Sequence, residues 1–118
     1  MDLSIEKNGA ATVIRIQTAR VIYPLLPALV EKTKLEVDGG ARSLILDLSA
    51  VSYIDSATIG CIMDIYRLAK DQGGGLHILA PQARVETMLS MAGVHKIVPI
   101  FREEDEAVKA FGAGDNRK

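Results

Sequence analysis

Few residues in this chain have side chains suited to chemistry, and two of them are neighbours. Asp55 and Ser56 stand side by side where an apolar run, "LILDLSAVSYIDSATIG", gives way to what reads as a helix. An acid beside a hydroxyl suits a helix cap, a catalytic pair or a modification site. Capping accounts for only one of them, because one side chain accepting from the first free N–H groups suffices and contributes about 1 kcal/mol. A hydrolytic nucleophile is poorly served. The context "IDSAT" lacks the Gly-x-Ser-x-Gly elbow, and an adjacent aspartate cannot orient a histidine base from a distance. A receiver-type phosphoaspartate at Asp47 or Asp55 would need acidic metal-binding partners at the early strand ends, which read Asn8-Gly9 and Gln17-Thr18.

The other candidates reduce to structure. Cys61 is the single cysteine, lies on the apolar side of the same helix and reads as a buried structural thiol. His77 and His95 have no clustered Cys or carboxylate at metal-ligand spacing, so neither a metal nor a cofactor is expected. Gly73-Gly74-Gly75 falls after a helix and before a strand. That is the reverse of the order that aims backbone N–H groups at phosphate, so a helix C-cap and turn explain it.

The elements that must position the pair are legible from periodicity. Leu3–Lys7 alternates apolar with polar, Asn8-Gly9 signals a type I′ hairpin turn, and Thr12–Ile16 forms the returning strand. From Pro24 the spacing becomes helical, with Leu26, Leu29, Val30, Thr33 and Val37 on one side and both prolines near the first turn. Ser43–Leu48 reads as a strand covered on both faces. Ser56–Gln72 is a second helix, Leu76–Leu79 a further strand, and the segment from Pro81 to Gly93 a third helix. Ile97–Phe101 is an edge strand because Pro99 cannot donate to a ladder, and Glu103–Glu106 opens a last short helix. The β-β-α-β-α-β-α-β-α order predicts an α/β fold with a mixed β-sheet and packed helices.

Projected at 100° per residue, the second helix sends Ile59, Cys61, Ile62, Ile65, Leu68 and Ala69 toward the sheet. Ser56, Gly60, Met63 and Arg67 recur at i, i+4, i+7 and i+11 on the opposite side, with Asp64 and Asp71 nearby. A glycine there forfeits about 1 kcal/mol of helix stability relative to alanine, and methionine offers an adaptable apolar contact. The stripe therefore reads as a protein-binding face that begins at Ser56.

The span from Ser43 to Phe101, with its "DLSAVSYIDSATIG" core, "GGG" turn and glycine-terminated third helix, resembles the STAS domain of anti-sigma factor antagonists. The resemblance implies a STAS-like mixed sheet and no catalytic activity. It also implies that Ser56 is phosphorylated by a partner anti-sigma factor, an ATP-dependent serine kinase of the GHKL ATPase type, and that phosphorylation ends binding. Asp55, Ser56, Thr58, Gly60, Met63 and Arg67 would then touch the partner. Where the family has glycine two residues beyond the serine this chain has Thr58, which becomes a second candidate acceptor. The loop after the second strand, Thr18–Val21, also departs from the family's usual glycine-containing pattern. The family further includes STAS subunits of stress-signalling or membrane-transport assemblies that act by protein–protein binding without phosphorylation.

Bulk properties agree with a regulatory domain. The 118 residues are 48% hydrophobic and 25% charged, enough for one packed core spanning residues 1–111, with 112–118 expected as a flexible tail. A net charge of −1 gives no field for nucleic acid or an anionic membrane. One cysteine, no signal-like opening and no long apolar run predict a cytoplasmic protein that does not insert into a membrane.

Overall fold

The computed structural model describes residues 1–115, with side chains through Gly112. Strands β1 (Leu3–Asn8), β2 (Ala11–Ile16), β4 (Ser43–Asp47), β6 (Gly75–Leu79) and β7 (Ile100–Phe101) form one sheet in the order β1-β2-β4-β6-β7. The β1–β2 pair is antiparallel and all later pairs are parallel, so the sheet is mixed as the element order predicts.

The hairpin turn differs in detail from the sequence expectation. Asn8 pairs with Ala11, leaving Gly9-Ala10 as the loop, and the positive φ of 61° falls on Gly9 alone. Positive φ at only the first central position belongs to type II′, which asks for glycine there, not to type I′. The Asn8 amide instead donates to the Glu104 carboxylate at 2.7 Å.

Alternation along the strands divides the core between two faces. Ile14, Ile16, Leu44, Leu46, Leu76 and Ile78 point to one face. There they meet α1 (Leu26–Asp38), α2 (Ser56–Asp71) and α3 (Ala83–Met91) through Leu29, Ile62, Ile65, Val85 and Leu89. Ala11, Val13, Ile45 and Leu79 point to the other face, closed by α4 (Glu104–Asp115) through Ala107. Because β4 is covered on both sides, Leu44, Ile45 and Leu46 are all fully buried, and its unbroken apolar run follows.

Two polar links fix α4 to its face. His77 on β6 donates through Nδ1–H to the Ala107 carbonyl at 2.9 Å and stacks on Phe111 with ring centroids 3.7 Å apart. Arg15 on β2 reaches Glu6, Asp47 and Glu104, each at 2.8–2.9 Å. The three carboxylates hold the guanidinium's pKa above its ordinary value, with Glu104 the largest contributor, and Arg15 in turn pulls the Glu104 carboxyl down.

The last strand is shorter than the expected Ile97–Phe101. Val94–Lys96 forms a 3-10 turn and only Ile100–Phe101 joins the edge. Helix α4 runs on to Asp115, past the expected boundary at residue 111, and residues 116–118 of the expected tail lie outside the described residues.

Candidate functional site

A second, two-stranded sheet prepares the start of α2. Strands β3 (Arg20–Val21) and β5 (Tyr53–Ile54) pair in parallel, with the Arg20 guanidinium 4.5 Å above the Tyr53 ring. The Ala19 carbonyl receives the N–H groups of both Ser52 and Tyr53. The Thr18–Val21 segment is thereby clamped beside the Asp55-Ser56 junction.

Asp55 is the N-cap of α2, in extended backbone with φ −104° and ψ 177°. Its Oδ1 accepts from the Thr58 N–H at 2.9 Å and lies 2.7 Å from the Thr58 hydroxyl. Its Oδ2 accepts from the Tyr23 N–H at 2.9 Å, tying the entry to α1 to the entry to α2. The Thr58 hydroxyl foremost, joined by these N–H donors, holds the carboxyl below the usual aspartate range, outweighing the upward push of burial. A fixed negative charge therefore sits beside Ser56 throughout the neutral pH range.

Thr58 does not lie on the exposed stripe. It is 2% exposed, and its single hydroxyl proton is shared between Asp55 and the Val21 carbonyl at 2.8 Å. Contrary to the sequence expectation, Thr58 is neither a second acceptor nor a direct partner contact in this fold, because a kinase cannot reach a hydroxyl enclosed against the Val21 carbonyl of β3. The pattern that exposes this was present in the sequence. Thr58 precedes Ile62, Ile65 and Ala69 at i, i+4, i+7 and i+11, the stripe that packs on the sheet.

Ser56, by contrast, is the first residue of α2, is exposed, and its hydroxyl has no hydrogen-bond partner among the described residues. Gly60 and Arg67 are also exposed, and a Cβ built on Gly60 would meet nothing within 4 Å. Arg67 pairs with Asp64 at 2.6 Å. Met63 is half-buried and leans on the core, so the stripe is Ser56, Gly60 and Arg67 with Met63 at its margin. Ile59 and Leu68, expected against the sheet, are likewise only half-buried. Sequence reasoning missed Tyr23, which is 69% exposed beside the junction; its link to Asp55 spans 32 residues and leaves no local signal.

The remaining candidates fall where structure needs them. Cys61 is buried under α1, and burial pushes its thiol up to about 11, far from a reactive thiolate. Gly74 approaches Arg42 so closely that a Cβ would lie 2.0 Å from the Arg42 carbonyl oxygen. The triple glycine is thus a helix end and a tight β-strand entry. Among the described residues no three His, Cys, Asp or Glu side chains group as metal ligands, and no helix is long and apolar enough to cross a membrane.

Comparison with known proteins bears on the family and the fold. The STAS domain family model matches residues 2–107. A candidate anti-sigma factor antagonist of Thermotoga neapolitana is 34% identical over 70 residues, covering 59% of this chain and 62% of that protein. The anti-sigma F factor antagonist of Paenibacillus polymyxa is 31% identical over 65 residues, 55% of this chain and 56% of that one. The aligned part thus spans about three fifths of the curated relatives' length. The antagonist SpoIIAA shares the fold at 18% identity. Its unphosphorylated form superposes with a TM-score of 0.81 over 95% of this chain and 97% of its own, and its phosphorylated Bacillus form at 0.71 over 92% and 98%. With the family model spanning nearly the whole chain and the mixed sheet and helices matching that fold, the chain belongs to the STAS domain family.

Proposed function

We propose that this protein is a phosphorylation-controlled anti-sigma factor antagonist. Unmodified, it binds an anti-sigma factor that is also an ATP-dependent serine kinase of the GHKL type. Phosphorylated on Ser56, it lets that partner go, and the partner returns to its sigma factor. The carrying observation is the division of labour at the junction: Asp55 is fully engaged in capping, while Ser56 presents a hydroxyl with no structural duty. Support also comes from the relatives described as anti-sigma factor antagonists and from a fold relative solved in phosphorylated form.

In the modification step Ser56 Oγ bonds to the γ-phosphorus of ATP, the bond from that phosphorus to the β-bridging oxygen breaks, ADP leaves, and the hydroxyl proton passes to a base of the kinase. The chain itself supplies no catalytic group and acts by binding.

The physics favours a switch read at the interface. Phosphoserine adds about −1.5 to −2 charges at neutral pH. At a helix N-terminus the dipole returns about 0.3–1 kcal/mol. Repulsion from Asp55 at about 5 Å is on the order of 1–3 kcal/mol per unit charge, and water and salt screen it in the free domain. Within a complex that screening is lost, and an unpaired dianion is expensive to desolvate. The modified domain keeps its fold while its complex is destabilised, so a binding switch needs no large conformational change.

Incubation with ATP and the candidate kinase, followed by intact mass measurement and mapping of the modified peptide, tests the assignment. One phosphate on wild type and none on Ser56→Ala supports it. Equal phosphorylation of both would overturn the site, and stable binding to a transporter or scaffold subunit with no modification would favour a non-phosphorylated STAS subunit.

A further inference from the structure

The Ser56 switch leaves unused a groove of about 830 Å³ between α1 and α2, open to solvent. Its floor is apolar: Leu26 and Val30 from α1 face Ala57, Gly60 and Cys61 from α2. Gly60 deepens it, because the space that its missing side chain would occupy is empty. Tyr23 at one end and Leu35 on the rim are 69% and 62% exposed, large apolar groups left in water.

Two properties define an occupant. The first is periodicity. The α1 wall recurs at Pro27, Val30, Lys34 and Asp38, and the α2 wall at Ala57, Gly60 and Asp64, each at three- and four-residue spacing. As successive crossover helices between parallel strands, α1 and α2 run in the same direction. Two parallel helical seams side by side form the holes into which a third helix sets its knobs. The 13 residues of α1 span about 20 Å, matching a partner helix of some three to four turns. The second property is charge. Glu31, Asp38 and Asp64 line the groove against Lys34 alone. Asp64 is partly answered by Arg67, whereas Glu31 and Asp38 have no ion-pair partner among the described residues. An acidic rim over an apolar floor complements a helix with an apolar ridge and basic flanks.

We propose that the α1–α2 groove is a docking site for a basic amphipathic helix of a partner protein. It borders the Ser56 stripe through Gly60 but does not depend on phosphorylation, so its failure leaves the switch untouched.

The test uses the whole protein and two synthetic 14-residue peptides with leucine at heptad a and d positions, one with lysine flanks and one with glutamate flanks. Fluorescence anisotropy gives affinities and amide chemical shifts map the contact. The lysine peptide should bind at least ten-fold tighter, with shifts confined to α1 and α2 around Val30 and Gly60. Gly60→Leu, which places a side chain in open space and leaves the helix intact, should reduce binding ten-fold or more. Glu31→Lys with Asp38→Lys should reverse the preference between peptides. Binding of neither peptide, equal binding of both, shifts on another face, or the same shifts on raising protein concentration without peptide (a second copy in the groove) would each overturn the proposal.

Discussion

Asp55 and Ser56 are adjacent yet should differ sharply when removed, and the difference can be worked from their contacts. Asp55→Ala deletes the acceptor for the Thr58 N–H and for the Tyr23 N–H. Loss of an N-cap costs about 0.5–2 kcal/mol. The Thr58 hydroxyl keeps the Val21 carbonyl, so it is not orphaned, and the exposed Tyr23 N–H turns to water at a cost of about 0.5–1 kcal/mol. The total is about 2 kcal/mol, which for a domain of this size lowers Tm by roughly 6–10 °C. Asp55→Asn keeps an acceptor oxygen and should lose well under half of that, since asparagine caps about as well as aspartate. Ser56→Ala removes a hydroxyl with no partner and should stay within about 0.5 kcal/mol of wild type. Urea denaturation followed by far-UV circular dichroism, with a common slope, gives all three values. Equal destabilisation by Asp55→Ala and Ser56→Ala, or none by Asp55→Ala, would refute the assignment of the cap to one residue and the switch to the other.

Two further outcomes follow from the core. Burial, opposed by the hydrogen bond to Ala107, lowers the His77 pKa below its unfolded value near 6.5. The unfolded chain then binds more protons, so stability should fall as pH drops below about 6.5, and His77→Phe should flatten that limb in pH-dependent melting. Gly74→Ala should cost 3 kcal/mol or more or prevent folding, because its Cβ would lie 2.0 Å from the Arg42 carbonyl oxygen, and expression with thermal melting reads this directly.

What the sequence made legible follows from where each signal resides. The strands of the main sheet and helices α1, α2 and α3 carry their periodicity within ten or so residues, and they appear within a few residues of their expected ends. The two-residue strands β3 and β5 are too short for any period, so the small sheet beside the site was invisible. Ile97–Val98 is β-branched and apolar yet joins no strand, because the 3-10 turn before it hands Val98 to the core instead of the ladder. At the site, Asp55 and Ser56 stood out through their residue types. Thr58 bears a hydroxyl suited to modification, yet its helical spacing puts it in line with Ile62 and Ile65 on the buried side. The link from Tyr23 to Asp55 and the Arg15–Glu104 pair join residues far apart in the chain, and only the folded backbone brings them together.

The central claim is that charge added at Ser56 is read by the partner and not by the fold. Calorimetric titration of the proposed anti-sigma kinase partner, in the presence of a non-hydrolysable ATP analogue, with unmodified and singly phosphorylated protein measures it, alongside the melting temperature of each free form. The account predicts at least a hundred-fold weaker binding for the phosphorylated protein and a change in Tm of no more than a few degrees. Equal affinities, or a loss of binding accompanied by unfolding, would contradict it.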